Sequence, residues 1–234
     1  EDFETSTFYL KNARLLVVVY YWRANCSPIE YRILGVGVID IEEMDPTDRA
    51  IIQDDWRKIR EAIIQGRAHE LSEGDTTYLK ATRKGAGTGL DDRKQPFNVL
   101  PAPNRAFSYR QSFLTRLMRP FVEGARVPKP GDEQPVVQDP LSLRERTFDD
   151  LVLGRFERFK GRTVDDIAAE VAPDLNRQAK GYYAALARRM LGVTSRRIEE
   201  FEKAEIIMKT VRVGRSGRPK EAMSFPAFRY RELV

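Results

Sequence analysis

Apolar side chains run almost unbroken from Leu15 to Trp22, and the composition, rich in Val, Leu and Tyr, predicts a buried β-strand over Ala13 to Trp22. Ile33 to Ile41 reads as a second strand, in which Gly35 and Gly37 allow another backbone to come close. The period then changes. Ile51, Ile52, Trp56, Ile59, Ile63 and Ile64 recur at three- and four-residue spacing behind Asp45-Pro46, an N-cap followed by a first-turn proline, so a helix is expected there. A short strand is expected at Tyr78 to Thr82, and a glycine-rich loop from Lys84 to Gln95. Helical spacing returns over Ser108 to Arg119.

Five prolines (120, 128, 130, 135 and 140) and two glycines lie between residues 120 and 140, which reads as an extended linker. Beyond it, Phe148 to Phe159 is helical in pattern. Thr163-Val-Asp-Asp166 carries the Thr-x-x-acid capping arrangement ahead of Ile167–Val171. Another helix is expected from about Gln178 to Leu191. Strands at Ile206 to Val213 and Ala222 to Tyr230, joined through Gly214 to Pro219, read as a hairpin. The whole pattern is that of an α+β (mixed α/β) protein.

Composition narrows the class. The 234 residues are 41% hydrophobic, enough for a core. The longest apolar run is far short of the roughly 18 residues of a membrane span, and no signal-peptide pattern opens the chain. A soluble, cytoplasmic protein is expected; the start on Glu1 rather than Met suggests a segment of something longer. One cysteine, Cys26, forms no internal disulfide and builds no zinc site alone. His69-Glu-Leu-Ser-Glu73 lacks the second histidine of a zinc-protease helix, since His69 is the sole histidine. Lys84-Gly-Ala-Gly-Thr-Gly89 lacks the Gly-Lys-Ser/Thr that closes a P-loop. The polar stretch Ala68–Asp75 is either a site or a capped surface turn.

Charge is uneven. Residues 1–50 hold 5 basic and 9 acidic side chains, residues 146–234 hold 19 and 13. Between 209 and 231 seven basic residues face one acid, Glu221, which suggests a polyanionic partner or a solvated basic face. Lys209, late in an apolar segment behind Glu199, Glu200, Glu202 and Glu205, resembles the lysine of metal-dependent nucleases. The position two residues before it is Ile207, which cannot bind a metal.

Several segments together carry a family resemblance. Thr163-Val-Asp-Asp-Ile-Ala-Ala169, Ala179-Lys-Gly-Tyr182, Leu191-Gly192, Glu200-Phe201, Met208-Lys-Thr-Val-Arg-Val213 and Gly217-Arg-Pro-Lys-Glu221 follow in the order of the first half of the MutH mismatch-repair endonuclease fold. Leu10-Lys-Asn-Ala-Arg-Leu-Leu-Val17, Asp55-Trp-Arg-Lys-Ile59, Tyr78-Leu79, Lys84 and Arg105-Ala-Phe107 resemble its second half. The order, and the string from Gly66 to Gly85, look like the GATC-cutting type II restriction endonucleases, which carry two MutH-like copies in tandem.

The resemblance implies restriction-endonuclease-like halves: residues 1–119 as the back of a first copy, 120–145 as linker, and 146–234 as the front of a second, degenerate copy. It implies a parent enzyme that hydrolyses phosphodiesters in double-stranded DNA with Mg²⁺. Of that catalytic set, copy one keeps Lys11. In copy two the positions fall on Arg188, Glu200, Ile207 and Lys209, so Glu200 is the one remaining candidate metal ligand. This segment alone is expected to hold no Mg²⁺ and to be inactive. Expected DNA contacts are Tyr78, Arg83, Lys84 and Arg110 in the first part, and Arg212, Arg215, Arg218 and Lys220 in the second. Two other readings stay open: a non-catalytic DNA-binding or effector module, and one circularly permuted MutH-like unit closed from the two halves.

Overall fold

The computed structural model describes residues 2–22, 24–25, 27, 31–85, 89–122, 131–211, 213 and 218–219. A short helix α1 (Thr7–Asn12), capped by the Ser6 hydroxyl accepting the Tyr9 N–H, leads into the hairpin of β1 (Arg14–Tyr21) and β2 (Arg32–Asp40). The long helix α2 (Pro46–Ile64) follows, its Asp45 carboxylate accepting the amides of Thr47 and Asp48. Next come β3 (Leu79–Arg83), β4 (Arg93–Lys94), β5 (Pro101–Ala102), β6 (Arg105–Tyr109) and α3 (Gln111–Met118). The later part holds β7 (Glu133–Gln134), α4 (Phe148–Glu157), α5 (Val164–Val171), α6 (Tyr182–Met190), β8 (Arg197–Ile198) and α7 (Glu199–Ala204).

Pairing is local and mixed. The ladders β1–β2, β3–β6 and β4–β5 are antiparallel, while β7–β8 is parallel. Gly35 and Gly37 do admit a close neighbour. A Cβ on Gly35 would collide with the Phe121 carbonyl oxygen, and one on Gly37 with the Phe121 ring.

One core runs through both parts of the chain. Phe3, Ile51, Trp56, Tyr78 and Phe113 share it with Val136, Phe148, Leu191, Ile198 and Phe201. Polar ties reinforce it. Glu200 accepts the amides of Val136 and Val137, each at 2.9 Å. The Lys203 ammonium pairs with Asp48, both side chains nearly inaccessible, and with Glu199 at 3.0 Å. Val136 and Val137, within the expected linker, are therefore core residues. A satellite core of Phe159, Ile167, Ala168, Ala172, Tyr182 and Leu186 joins α5 to α6.

Four sequence expectations need correcting. The β1 strand is not buried: Leu16 is 72% exposed, because its ribbon has two strands and one face is uncovered. The helix expected from Ser108 begins at Gln111, since Arg105–Tyr109 pairs with β3. The helix expected from Gln178 begins at Tyr182, after Gly181 in the left-handed region. Residues 206–211 form no ladder, and the described remainder of that hairpin is a bridge between Val213 and Pro219. The expected strand Ala222–Tyr230 lies outside the described residues.

Candidate nucleic-acid interface

The strand that carries the basic loop is mounted on α2. Asp55 lies on the apolar stripe of α2, between Ile51 and Ile59, and is fully buried. Its carboxylate accepts the amides of Thr77, Tyr78 and Leu79 at 2.7, 2.6 and 2.8 Å, which fixes the start of β3. Burial pushes this carboxyl up to about 6 against the pull of those three amides. Leu79 and Ala81 point inward, and Arg83 ends the strand exposed.

The partner strand β6 completes the mount. Arg105 donates from Nη1 to the Ala81 carbonyl at 2.8 Å and from Nη2 to that of Leu71. Arg105 also pairs with Arg83 in the ladder. The Lys84 amide donates to the Asn104 carbonyl at 2.7 Å, leaving its side chain in solvent. Arg93 and Lys94, exposed on β4, are held by β5. Asp92 sits 3.4 Å from Arg83 and partly offsets its charge. Arg93 and Lys94 line a cavity of about 250 Å³ together with Ile59, Leu71, Ala81 and Phe107. A backbone fixed on both strands with four exposed cations at its end can donate to phosphates or to guanine edges.

The polar stretch before β3 is a capped turn. Asp75 accepts the Ser72 amide and hydroxyl, and Glu73 pairs with Lys80 at 2.7 Å. His69 Nδ1 lies 3.1 Å from the Gln95 amide, whose Oε1 accepts the Ala68 N–H.

Two expected DNA contacts are placed elsewhere. Tyr78 is completely buried, its ring stacked on Phe113 at 4.4 Å, and burial raises its phenol far above the usual range. Arg110 spends its guanidinium on the carbonyls of Glu73, Thr76 and Thr77, tying down the turn instead of facing solvent. Arg83 and Lys84 are exposed. Lys11 is exposed in the last turn of α1, three residues before β1. Lys209 and Arg218 are exposed, whereas Arg212, Arg215 and Lys220 lie outside the described residues. Arg188 is half-buried on α6 and Ile207 is exposed.

Asp55 and Arg105 entered the sequence reading only within segments that carry the resemblance, and Gln95 only as the end of a loop; none was given a positioning role. A carboxylate interrupting an apolar helical stripe is the signal that could have marked Asp55.

No protein-family model matches the chain. It is 32% identical over 244 aligned positions to the type II restriction enzyme Sau3AI of Staphylococcus aureus. The chain is thus similar to a type II restriction enzyme along its whole length. The alignment takes in all of this chain and 48% of Sau3AI, so the chain spans about half the length of that relative.

Similarity to a restriction enzyme raises the question of a metal, and among the described residues Glu200, the one candidate ligand, does not fit it. Both Glu200 oxygens are used by backbone amides, and its burial raises the carboxyl's pKa, which disfavours the anion a metal needs. Among the described residues, no group of three or more His, Cys, Asp or Glu side chains is arranged to hold an ion.

Proposed function

We propose that this chain is a DNA-recognising segment of a type II restriction endonuclease. The parent reaction is Mg²⁺-dependent phosphodiester hydrolysis at a GATC-type duplex site, with the metal ligands supplied from outside this segment. Identity to Sau3AI along the whole chain carries the reading. The exposed, anchored cations Arg83, Lys84, Arg93 and Lys94 support it. Residues 1–119 are assigned as the back of one MutH-like copy and 146–234 as the front of a degenerate second copy, with 120–145 as the connection. Lys11 belongs to the nuclease centre of the parent. Arg218 and Lys209, with Arg212, Arg215 and Lys220 from the basic C-terminal stretch, hold duplex phosphates.

The shared core favours one further reading, in which the two halves close into a single permuted unit. One experiment separates the two. Fluorescence anisotropy with EDTA is expected to show tighter binding of a GATC duplex than of a scrambled one, and Mg²⁺ should produce no plasmid nicking. Equal affinity for both duplexes would remove the recognition role. Nicking that disappears in Lys209→Ala would favour the permuted unit.

A further inference from the structure

Among the described residues, the β1–β2 ribbon has one face covered by its own chain and one exposed. On the covered face, Phe121 lies over Gly35 and Gly37. On the other, the register sets Leu16 opposite Val38 and Val18 opposite Val36, with Tyr20 and Ile33 beyond the bulge. These side chains are 72%, 44%, 47%, 55%, 54% and 67% exposed. An apolar patch of this kind marks a surface that another body covers.

Two other features point the same way. Strand β1 is apolar on both faces, the composition of a strand covered on both. Among the described residues β1 and β2 pair only with each other, and an isolated two-stranded hairpin is marginally stable in water. The relative supplies an occupant, because about half of Sau3AI has no counterpart in this chain.

We propose that the Leu16–Val18–Val36–Val38 face is the seat of that other part of a Sau3AI-like polypeptide, which lays an apolar, sheet-forming surface on the ribbon. The proposal rests on reading the chain as a segment of a larger restriction enzyme. Its partner is a protein surface, so its test contains no DNA in the docking step.

The test compares the full 234-residue chain with full-length Sau3AI by amide hydrogen exchange. The Sau3AI strands aligned to residues 14–21 and 32–40 are expected to exchange at least tenfold more slowly than those of the chain, and fluorescence of the hydrophobic dye ANS should be at least twofold higher on the chain. In full-length Sau3AI, lysines at the positions aligned to Val18 and Val36 should bring that exchange up to the chain's rate. In the chain, Val18→Lys with Val36→Lys, and the milder Val18→Thr with Val36→Thr, should leave the melting temperature and duplex affinity unchanged, which keeps docking separate from DNA recognition. Equal exchange and equal dye fluorescence in the two proteins overturn the proposal. So does a dimer of the chain alone that the lysine pair dissolves, which would make the face an interface between copies. A lowered melting temperature in the threonine pair also overturns it, by showing that the chain covers this face itself.

Discussion

Asp55 shows how one buried charge positions the residues that face solvent. Its three amide partners hold the first residues of β3, and everything from Leu79 to Lys84 follows from that anchor. The carboxyl rises from 3.8 to about 6 because burial outweighs the amides. The folded state therefore holds this proton more tightly than the unfolded chain does. The group's contribution to stability is fully present below about 3.8 and is lost as the pH rises through about 6. Urea unfolding of wild type and Asp55→Asn should thus differ more at pH 4.5 than at pH 7, by about 2 kcal/mol. An unchanged difference would mean that burial and the three amides balance, and a larger difference at pH 7 that the amides dominate. Asn offers one acceptor to three donors, so the variant should also be less stable at both pH values. The Lys203–Asp48 pair makes a second case. Lys203→Met leaves a buried carboxylate without its cation and should cost about 3–5 kcal/mol, while adding Asp48→Asn should restore part of the loss. A double-mutant cycle by urea unfolding measures the coupling, and purely additive losses would show that the pair is not coupled.

At the scale of elements, the sequence was most legible where capping and period agreed. Asp45-Pro46 with apolar residues at helical spacing located α2, and Thr163 with Asp166 located α5; both hydroxyl and carboxylate caps are formed. Short strands were harder to read. Arg105–Tyr109 has five residues, and neighbouring apolar positions in α3 extended the helical pattern over it. The burial of β1 was misjudged because its composition suits a strand covered on both faces, whereas its environment here covers one. Site residues divided similarly. Exposed Arg83 and Lys84 were readable from charge and glycine spacing, but the fixed roles of Tyr78 and Arg110 depend on contacts with Phe113 and with carbonyls 73–77, which sequence spacing does not reveal. The loop itself makes a measurable claim. If Lys84, Arg93 and Lys94 each hold a phosphate, Lys84→Ala should flatten the slope of log K against log salt by about 0.9, and the triple alanine variant by about three times that. A base-reading Lys84 would instead lose about 1–3 kcal/mol of discrimination between matched and scrambled duplexes. Salt titrations on both duplexes distinguish these outcomes, and no change in either quantity would make the loop a spectator.

At the scale of the whole molecule, the proline-rich stretch does not separate two cores. Val136 and Val137 sit in the same cluster as Tyr78 and Phe113 and are held there by Glu200, while Ser112 on α3 donates to the Lys203 carbonyl at 2.6 Å. Lys58 on α2 reaches Asp149 on α4 at 3.1 Å, and Arg116 pairs with Glu133. Each part thus supplies the apolar surface that the other buries, and neither holds a complete core. A protease site placed between Val122 and Gly131 tests this directly. After cleavage, the two pieces should still elute together and unfold in one transition, at a midpoint that falls on dilution because the association is now bimolecular. Removing Phe113, a fully buried ring, by Phe113→Ala should cost about 3–5 kcal/mol in the intact chain and drive the cleaved pieces apart at micromolar concentration. Two separate transitions after cleavage, with that of the C-terminal piece insensitive to Phe113→Ala, would establish independent domains on either side of the proline-rich stretch. A single dilution-sensitive transition would instead make the placement of Arg83 and Lys84 dependent on residues more than a hundred positions away, through the core that positions α2 and β3.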